Sequence, residues 1–225
     1  MFPYSLVRSK RKTLAIYITK GAAVEVRAPL KMPKADIDRF VAAKEQWIAK
    51  HLARREQRNE AKAEFRVDYG DMLLLRGKQY PLVAQEGNQA GFDGGRFYLP
   101  PALPPHGIKQ VVVRTYKNLA KILLTAKAGE YAKQLGVQAT AIKISNAKTR
   151  WGSCSGKNSL NFSWRLVMGS EEVIDYLVVH ELAHTRHHDH SARFWALVAS
   201  VLPDYKARQK ELKQLQEKLA TEDWD

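Results

Sequence analysis

The sequence predicts an α+β fold, with a small β-rich N-terminal lobe at residues 1–105 and a mainly helical C-terminal lobe at 106–225, either separate or integrated into one domain. Three observations carry this. Short alternating apolar runs punctuated by glycine fill much of the first lobe, the pairs Pro100-Pro101 and Pro104-Pro105 interrupt the chain, and long helical periodicities dominate beyond them.

Thr13 to Arg27 alternates Leu14, Ile16, Ile18 and then Val24, Val26 around Gly21, the pattern of a β-hairpin. Lys34 to Asn59 places Ile37, Phe40, Val41, Trp47, Ile48 and Leu52 at helical spacing, and Arg54 to Lys62 reads as its solvated end. Met72 to Leu75, Tyr80 to Ala84 and Arg96 to Leu99 are separated by glycines and predict a small antiparallel sheet. Val111 to Leu135 is one long helix stopped by Gly136. Glu171 to about Arg186 is another, with Ser170 as N-cap and two glutamates facing the helix dipole. Between these helices, Ala141 to Ser145 and Ser159 to Val167 predict an antiparallel hairpin turning at Gly156-Lys157-Asn158. Ser191 opens a further helix that Pro203 stops, and Lys206 to Leu219 forms the last.

With 225 residues, 45% of them hydrophobic, the chain can bury a substantial core, which excludes a disordered or fibrous protein. A single cysteine, Cys154, rules out an intramolecular disulfide and any zinc site built from several cysteines, and fits a reducing, cytoplasmic setting. No apolar run approaches the ~20 residues of a bilayer crossing, and Met1 to Lys12 lacks the apolar block of a secretory signal, so a soluble, unexported protein without a membrane partner is expected. The net charge of +14 would concentrate polyanions such as nucleic acid or nucleoside phosphates, or it is simply a well-solvated surface.

The chemistry concentrates at His180-Glu181-Leu182-Ala183-His184. Two histidines four apart on a helix lie about 40° apart around the axis and ~6 Å along it, so both imidazoles can reach one metal ion. Zinc suits nitrogen ligands, and Glu181 can face the water at the open position and take its proton. Ile174, Leu177 and Val178 precede the motif at core spacing, so the helix is buried and its polar residues need partners. A catalytic zinc takes a third protein ligand, for which His190 is preferred and Asp189 is the rival. His187 and His188 fall in the last turn, where their rings point elsewhere or cap carbonyls.

This block, continued by His190-Ser191 and Phe194-Trp195, resembles the YgjP-like metallopeptidase family. Arg150-Trp151-Gly152-Ser153-Cys154-Ser155, then Leu160-Asn161-Phe162 and Trp164-Arg165-Leu166, is similar to the family's other signature. The resemblance implies a zincin-like catalytic C-terminal lobe, with its β-hairpin beside the metal helix, one zinc or another divalent ion per chain on His180, His184 and His190, and Glu181 as catalytic base. It implies a metallopeptidase, with a nucleoside-triphosphate pyrophosphatase acting on UTP as the alternative. The spacing also matches the pattern H-E-x-x-H-x-x-G-x-x-H except that His187 replaces the glycine.

The Arg150 to Arg165 block reads in three ways. A strand beside the metal can pair with an extended peptide substrate; Arg150, Lys157 and Arg165 can bind the phosphates of a nucleotide substrate; or the aromatics are core and the arginines solvated. A different class of function is a nucleic-acid-associated module or a protease of DNA-bound proteins, reached through the basic surface. The sequence leaves the oligomeric state open.

Overall fold

A computed structural model describes residues 2–224, so Met1 and Asp225, at the ends of the two expected lobes, lie outside the described residues. It is a mixed α+β structure with two compact units, Met1–Phe65 with Ala220–Asp223, and Arg66–Leu219 with Trp224–Asp225.

In the first unit, strands β1 (Tyr4–Ser9), β2 (Ala15–Ile18) and β3 (Val24–Pro29) form a sheet of order β1-β3-β2. The β2–β3 pair is the expected hairpin, in register from Ala15 opposite Arg27 to Ile18 opposite Val24. β1, parallel to β3, was not anticipated. Alternation along β3 sends Val24, Val26 and Ala28 to one side, where they pack with Ile37, Val41 and Ile48. These last three come from α1 (Lys34–Ala43) and α2 (Glu45–Glu64), into which the expected single helix is broken at Lys44, whose φ of −107° and ψ of 15° leave the helical region. Of the apolar residues at helical spacing, Ile48 is buried and Trp47 is 41% exposed.

The second unit opens with β4 (Met72–Leu75), β5 (Lys78–Ala84), β6 (Gly91–Phe92) and β7 (Phe97–Leu99), ordered β4-β5-β7-β6. The sheet is mixed rather than antiparallel, because β5 and β7 run parallel. Phe97 lies 5.2 Å from the Tyr116 ring and the Arg76 N–H donates to the Val167 carbonyl at 2.7 Å. These contacts group the sheet with the helices that follow, so the division between units falls at Phe65 and Arg66, upstream of the proline pairs. Pro105 occupies the first turn of α3 (Pro105–Leu135), where a missing N–H costs nothing. Gly136, at φ 61°, ends that helix in the left-handed conformation.

β8 (Ala141–Ser145), β9 (Gly152–Cys154) and β10 (Ser159–Ser163) form the third sheet, ordered β8-β10-β9. The predicted hairpin is corrected here: β8 runs parallel to β10, and the antiparallel partner across the Gly156-Lys157-Asn158 turn is β9. The segment past Ser163 leaves the sheet as a buried 3₁₀ turn, Trp164–Met168. Then α4 (Glu171–Ala183) runs through the core, followed by α5 (Ala192–Val201) and α6 (Tyr205–Leu219). Among the described residues, no helix is long and apolar enough to cross a membrane.

Candidate metal centre

α4 starts where the sequence places its cap. The Ser170 hydroxyl accepts from the Val173 N–H, and Glu171 and Glu172 occupy the first turn. Lys127 on α3 binds Glu171 at 2.8 Å and Asp175 at 2.5 Å, tying the start of α4 to α3. Val173, Ile174, Leu177, Val178, Val179 and Leu182 are all buried, so packing surrounds most of this helix. His180 and Glu181 therefore sit on an element with little freedom to move, which is what a preorganised site requires.

His180, His184 and His190 each offer one ring nitrogen, and these atoms all lie within 4.8 Å of one another. The His180 and His190 Nε2 atoms are 3.2 Å apart. Two nitrogens bound at ~2.1 Å to one tetrahedral ion would be separated by about 3.4 Å, so the triad fits zinc-like coordination. The His187 carbonyl lies 3.0 Å from His184 Nδ1. Because a carbonyl only accepts, Nδ1 carries the hydrogen and Nε2 presents its lone pair, the tautomer a metal ligand needs. Burial, then the neighbouring His184 and His190, pushes the His180 imidazole down to about 3, so it stays neutral at ordinary pH.

Asp189, the rival for the third ligand, instead accepts from the Ser191 N–H at 3.3 Å. Ser191 stands at the N-cap of α5 but makes no side-chain cap bond. Among the described residues, positive φ outside glycine occurs only at Ala22, Arg76, Ala102 and Asn158. The chain therefore turns from His184 to His190 without a left-handed residue at His187, and no glycine is needed there.

Glu181 is 5% exposed, and its Oε2 has no hydrogen-bond partner among the described residues. Burial pushes this carboxyl up to about 7. The backbone of Gly152 on β9 lies directly against it: a Cβ there would fall 2.5 Å from Glu181 Oε1 and 2.6 Å from its Cγ. Sequence reasoning quoted Gly152 without giving it this role. The available signal was a glycine inside a short strand, which often marks a close approach of the backbone. Tyr176, one turn before His180, was also passed over; its hydroxyl lies 3.4 Å from His180 Nδ1.

The three candidate substrate contacts separate. Arg150 borders a cavity of about 280 Å³ that Gly152, Ser153 and Asn161 also line. Lys157 is exposed in the turn between β9 and β10. Arg165 is buried, donates to the Asn146 carbonyl at 3.2 Å and lies 4.5 Å over the Trp164 ring, so its guanidinium serves the fold.

The chain is similar to two solved archaeal proteins. The metallopeptidase zymogen abylysin of Pyrococcus abyssi is 24% identical, with a TM-score of 0.38, over 43% of this chain and 94% of that one. Jannalysin of Methanocaldococcus jannaschii, also a metallopeptidase zymogen, is 23% identical, with a TM-score of 0.37, over 42% and 95%. No curated protein matches. The model of the YgjP-like metallopeptidase domain matches residues 12–215, nearly the whole chain and all of the histidine triad, and on that match the chain belongs to the YgjP-like metallopeptidase family.

Proposed function

We propose that this protein is a zinc-dependent metallopeptidase in which His180, His184 and His190 hold one zinc ion per chain and Glu181 is the general base. The observation that carries the reading is the convergence of three imidazole nitrogens within 4.8 Å, on the same helix and turn as a buried carboxylate with an unpartnered oxygen. A bound divalent ion supplies Lewis acidity, which lowers the pKa of water and polarises the scissile carbonyl.

The remaining steps belong to the chain. The unpartnered Glu181 Oε2 accepts the proton of the attacking water and passes it to the departing amine nitrogen. Gly152 keeps the carboxyl in place by leaving no room beside it. Among the described residues only β10 pairs with β9, which leaves β9 a second edge without a strand. The Ser163 N–H donates to the Trp151 carbonyl and the Ser155 N–H to the Ser159 carbonyl, so by alternation the main-chain groups of Gly152 and Cys154 face that edge. An extended peptide can pair there by main-chain hydrogen bonds. The phosphate reading is weaker, because Arg165 is spent on Asn146 and Trp164.

The test is a panel of unfolded proteins and nucleoside triphosphates with the zinc-loaded protein and its Glu181→Ala variant. Peptide cleavage by the wild type alone supports the proposal; triphosphate cleavage alone would transfer the same site to phosphoanhydride chemistry.

A further inference from the structure

Residues 131–170, from the end of α3 to the N-cap of α4, include the third sheet and its loops. They contain six Lys and Arg and no Asp or Glu, although the chain has 23 acidic residues in all. Such an excess sets the sign of the field along the sheet. Arg165 and Lys148 have interactions within the fold. Arg150 does not: among the described residues its guanidinium has no hydrogen bond or ion pair, and it borders the cavity of about 280 Å³ beside β9. The side chains of Thr149, Ser153 and Asn161, which share that cavity, are equally without partners among the described residues. Ser145, Ala147 and Gly152 complete the lining, so no aromatic or large aliphatic residue borders the space.

Strand geometry relates this cavity to the metal centre. A Cβ on Gly152 would run into Glu181, so that position points towards α4. Ser153, the next residue, points to the opposite face, as does Asn161, its partner in the β9–β10 register. The two faces of β9 therefore carry different chemistry, Glu181 on one and a polar cavity with a single cation on the other. An extended peptide on the free edge of β9 alternates its side chains between the same two faces. Those directed away from the metal helix lie on the cavity side.

A guanidinium presents parallel N–H donors that match a carboxylate in bidentate fashion. An apolar side chain would leave these donors unpaired, and a basic one would be repelled. Triphosphate sites combine a cradle of backbone N–H groups with several cations, whereas one cation lines this cavity. We infer that the cavity is a specificity subsite for an acidic substrate residue, with Arg150 binding an Asp or Glu side chain on the face of the peptide turned away from the metal. Its part in catalysis rests on the peptidase reading, whereas binding of the acidic side chain does not.

The experiment uses the zinc-loaded full chain and quenched-fluorescent peptides of about ten residues, acetylated and amidated at their ends, in which Glu, Gln or Lys is stepped through each position. Free-acid counterparts are run beside them. Expected in the amidated set is a kcat/KM about tenfold higher for Glu than for Gln at one position, or at positions two apart, the size of one charge-assisted hydrogen bond and the period of a strand. Arg150→Gln should bring that ratio close to one, and Arg150→Glu should reverse the order so that Lys is preferred, a gain that misfolding cannot mimic. Lys210→Gln removes the same charge from an exposed position on α6 and should leave the ratio unchanged. Anisotropy with labelled versions of these peptides, in the Glu181→Gln background, should show the same order and the same reversal. The inference is overturned by cleavage without preference for Glu, by a preference that survives Arg150→Glu, by equal loss in Lys210→Gln, or by a preference confined to the free-acid peptides. Cleavage of no peptide, with Glu still bound more tightly and the order reversed by Arg150→Glu, would support the subsite and sink the peptidase reading; failure of both arms would overturn both.

Discussion

α2 and α4 are both rich in polar side chains and use them in opposite ways. α4 buries nine of its thirteen residues, and α2 buries only Ile48 of its twenty. In α4 His180 and Glu181 lie in a largely buried stretch, with the His180 ring 4.9 Å from that of Phe194, and burial moves their titration, the carboxyl up and the imidazole down. In α2 most of the charges lie at the surface, where no single one is held in a buried environment. Buried polar groups act individually; exposed ones act by number and arrangement.

The strongest way to break this contrast is to change one atom in the buried helix. Glu181→Gln keeps shape and removes the proton acceptor, so hydrolysis should fall about 10²–10⁴-fold while metal content is unchanged. A fall of less than tenfold would remove the base role. Next is packing. Leu182→Ala should cost about 2–5 kcal/mol in a denaturant melt, whereas Lys62→Ala on α2 should stay within about 0.5 kcal/mol. Similar costs at the two positions would erase the distinction between the helices.

A smaller effect separates the two titrations within α4. In metal-free protein the folded Glu181 carboxyl sits near 7 against 4.5 for the free group, so its stabilising contribution is complete below 4.5 and is lost as pH rises through 7. His180 has the opposite sign: held near 3 rather than 6.5, it favours folding above 6.5, and that contribution is lost as pH falls through 3. Between 6.5 and 7.5 Glu181 dominates, so metal-free stability should drop by a few tenths of a kcal/mol up to about 1 kcal/mol, and Glu181→Gln should abolish the drop. A drop of the same size in that variant would assign the titration elsewhere.

The smallest expected effect concerns Cys154 on β9. Burial, then Glu181, raises its thiol above the ordinary 9.0. Iodoacetamide should therefore label it more slowly at pH 8 than an unstructured cysteine peptide, and faster labelling would place the thiol in a different environment.

The same contrast explains what could be read from the sequence. His180 and His184 were legible as a pair because helical spacing alone brings them together, and Ser170 because capping is a local signal. His190 required a turn of unknown course, and its position beside His180 Nε2 is a tertiary fact. Alternation marked β8 and β10 without revealing that they run parallel, since a period of two is the same in either direction. β1 runs straight into the basic stretch Arg8 to Lys12 and draws its order from parallel pairing with β3, a partner that the local sequence does not reveal. The break at Lys44 has neither proline nor glycine to announce it. Arg165 resembled a phosphate ligand because sequence shows a charge and conceals its burial; helical spacing likewise does not tell exposed Trp47 from buried Ile48.

The central claim is that three histidines form one metal site. It is tested most directly by elemental analysis of metal per chain in protein purified without a histidine tag and reconstituted with zinc, for the wild type, His180→Ala, His190→Ala and Glu181→Gln. About one zinc in the wild type and in Glu181→Gln, with loss in both histidine variants, is the predicted result. Zinc retained at wild-type level in His190→Ala would contradict the triad, and a wild type that binds none would contradict the metal centre altogether.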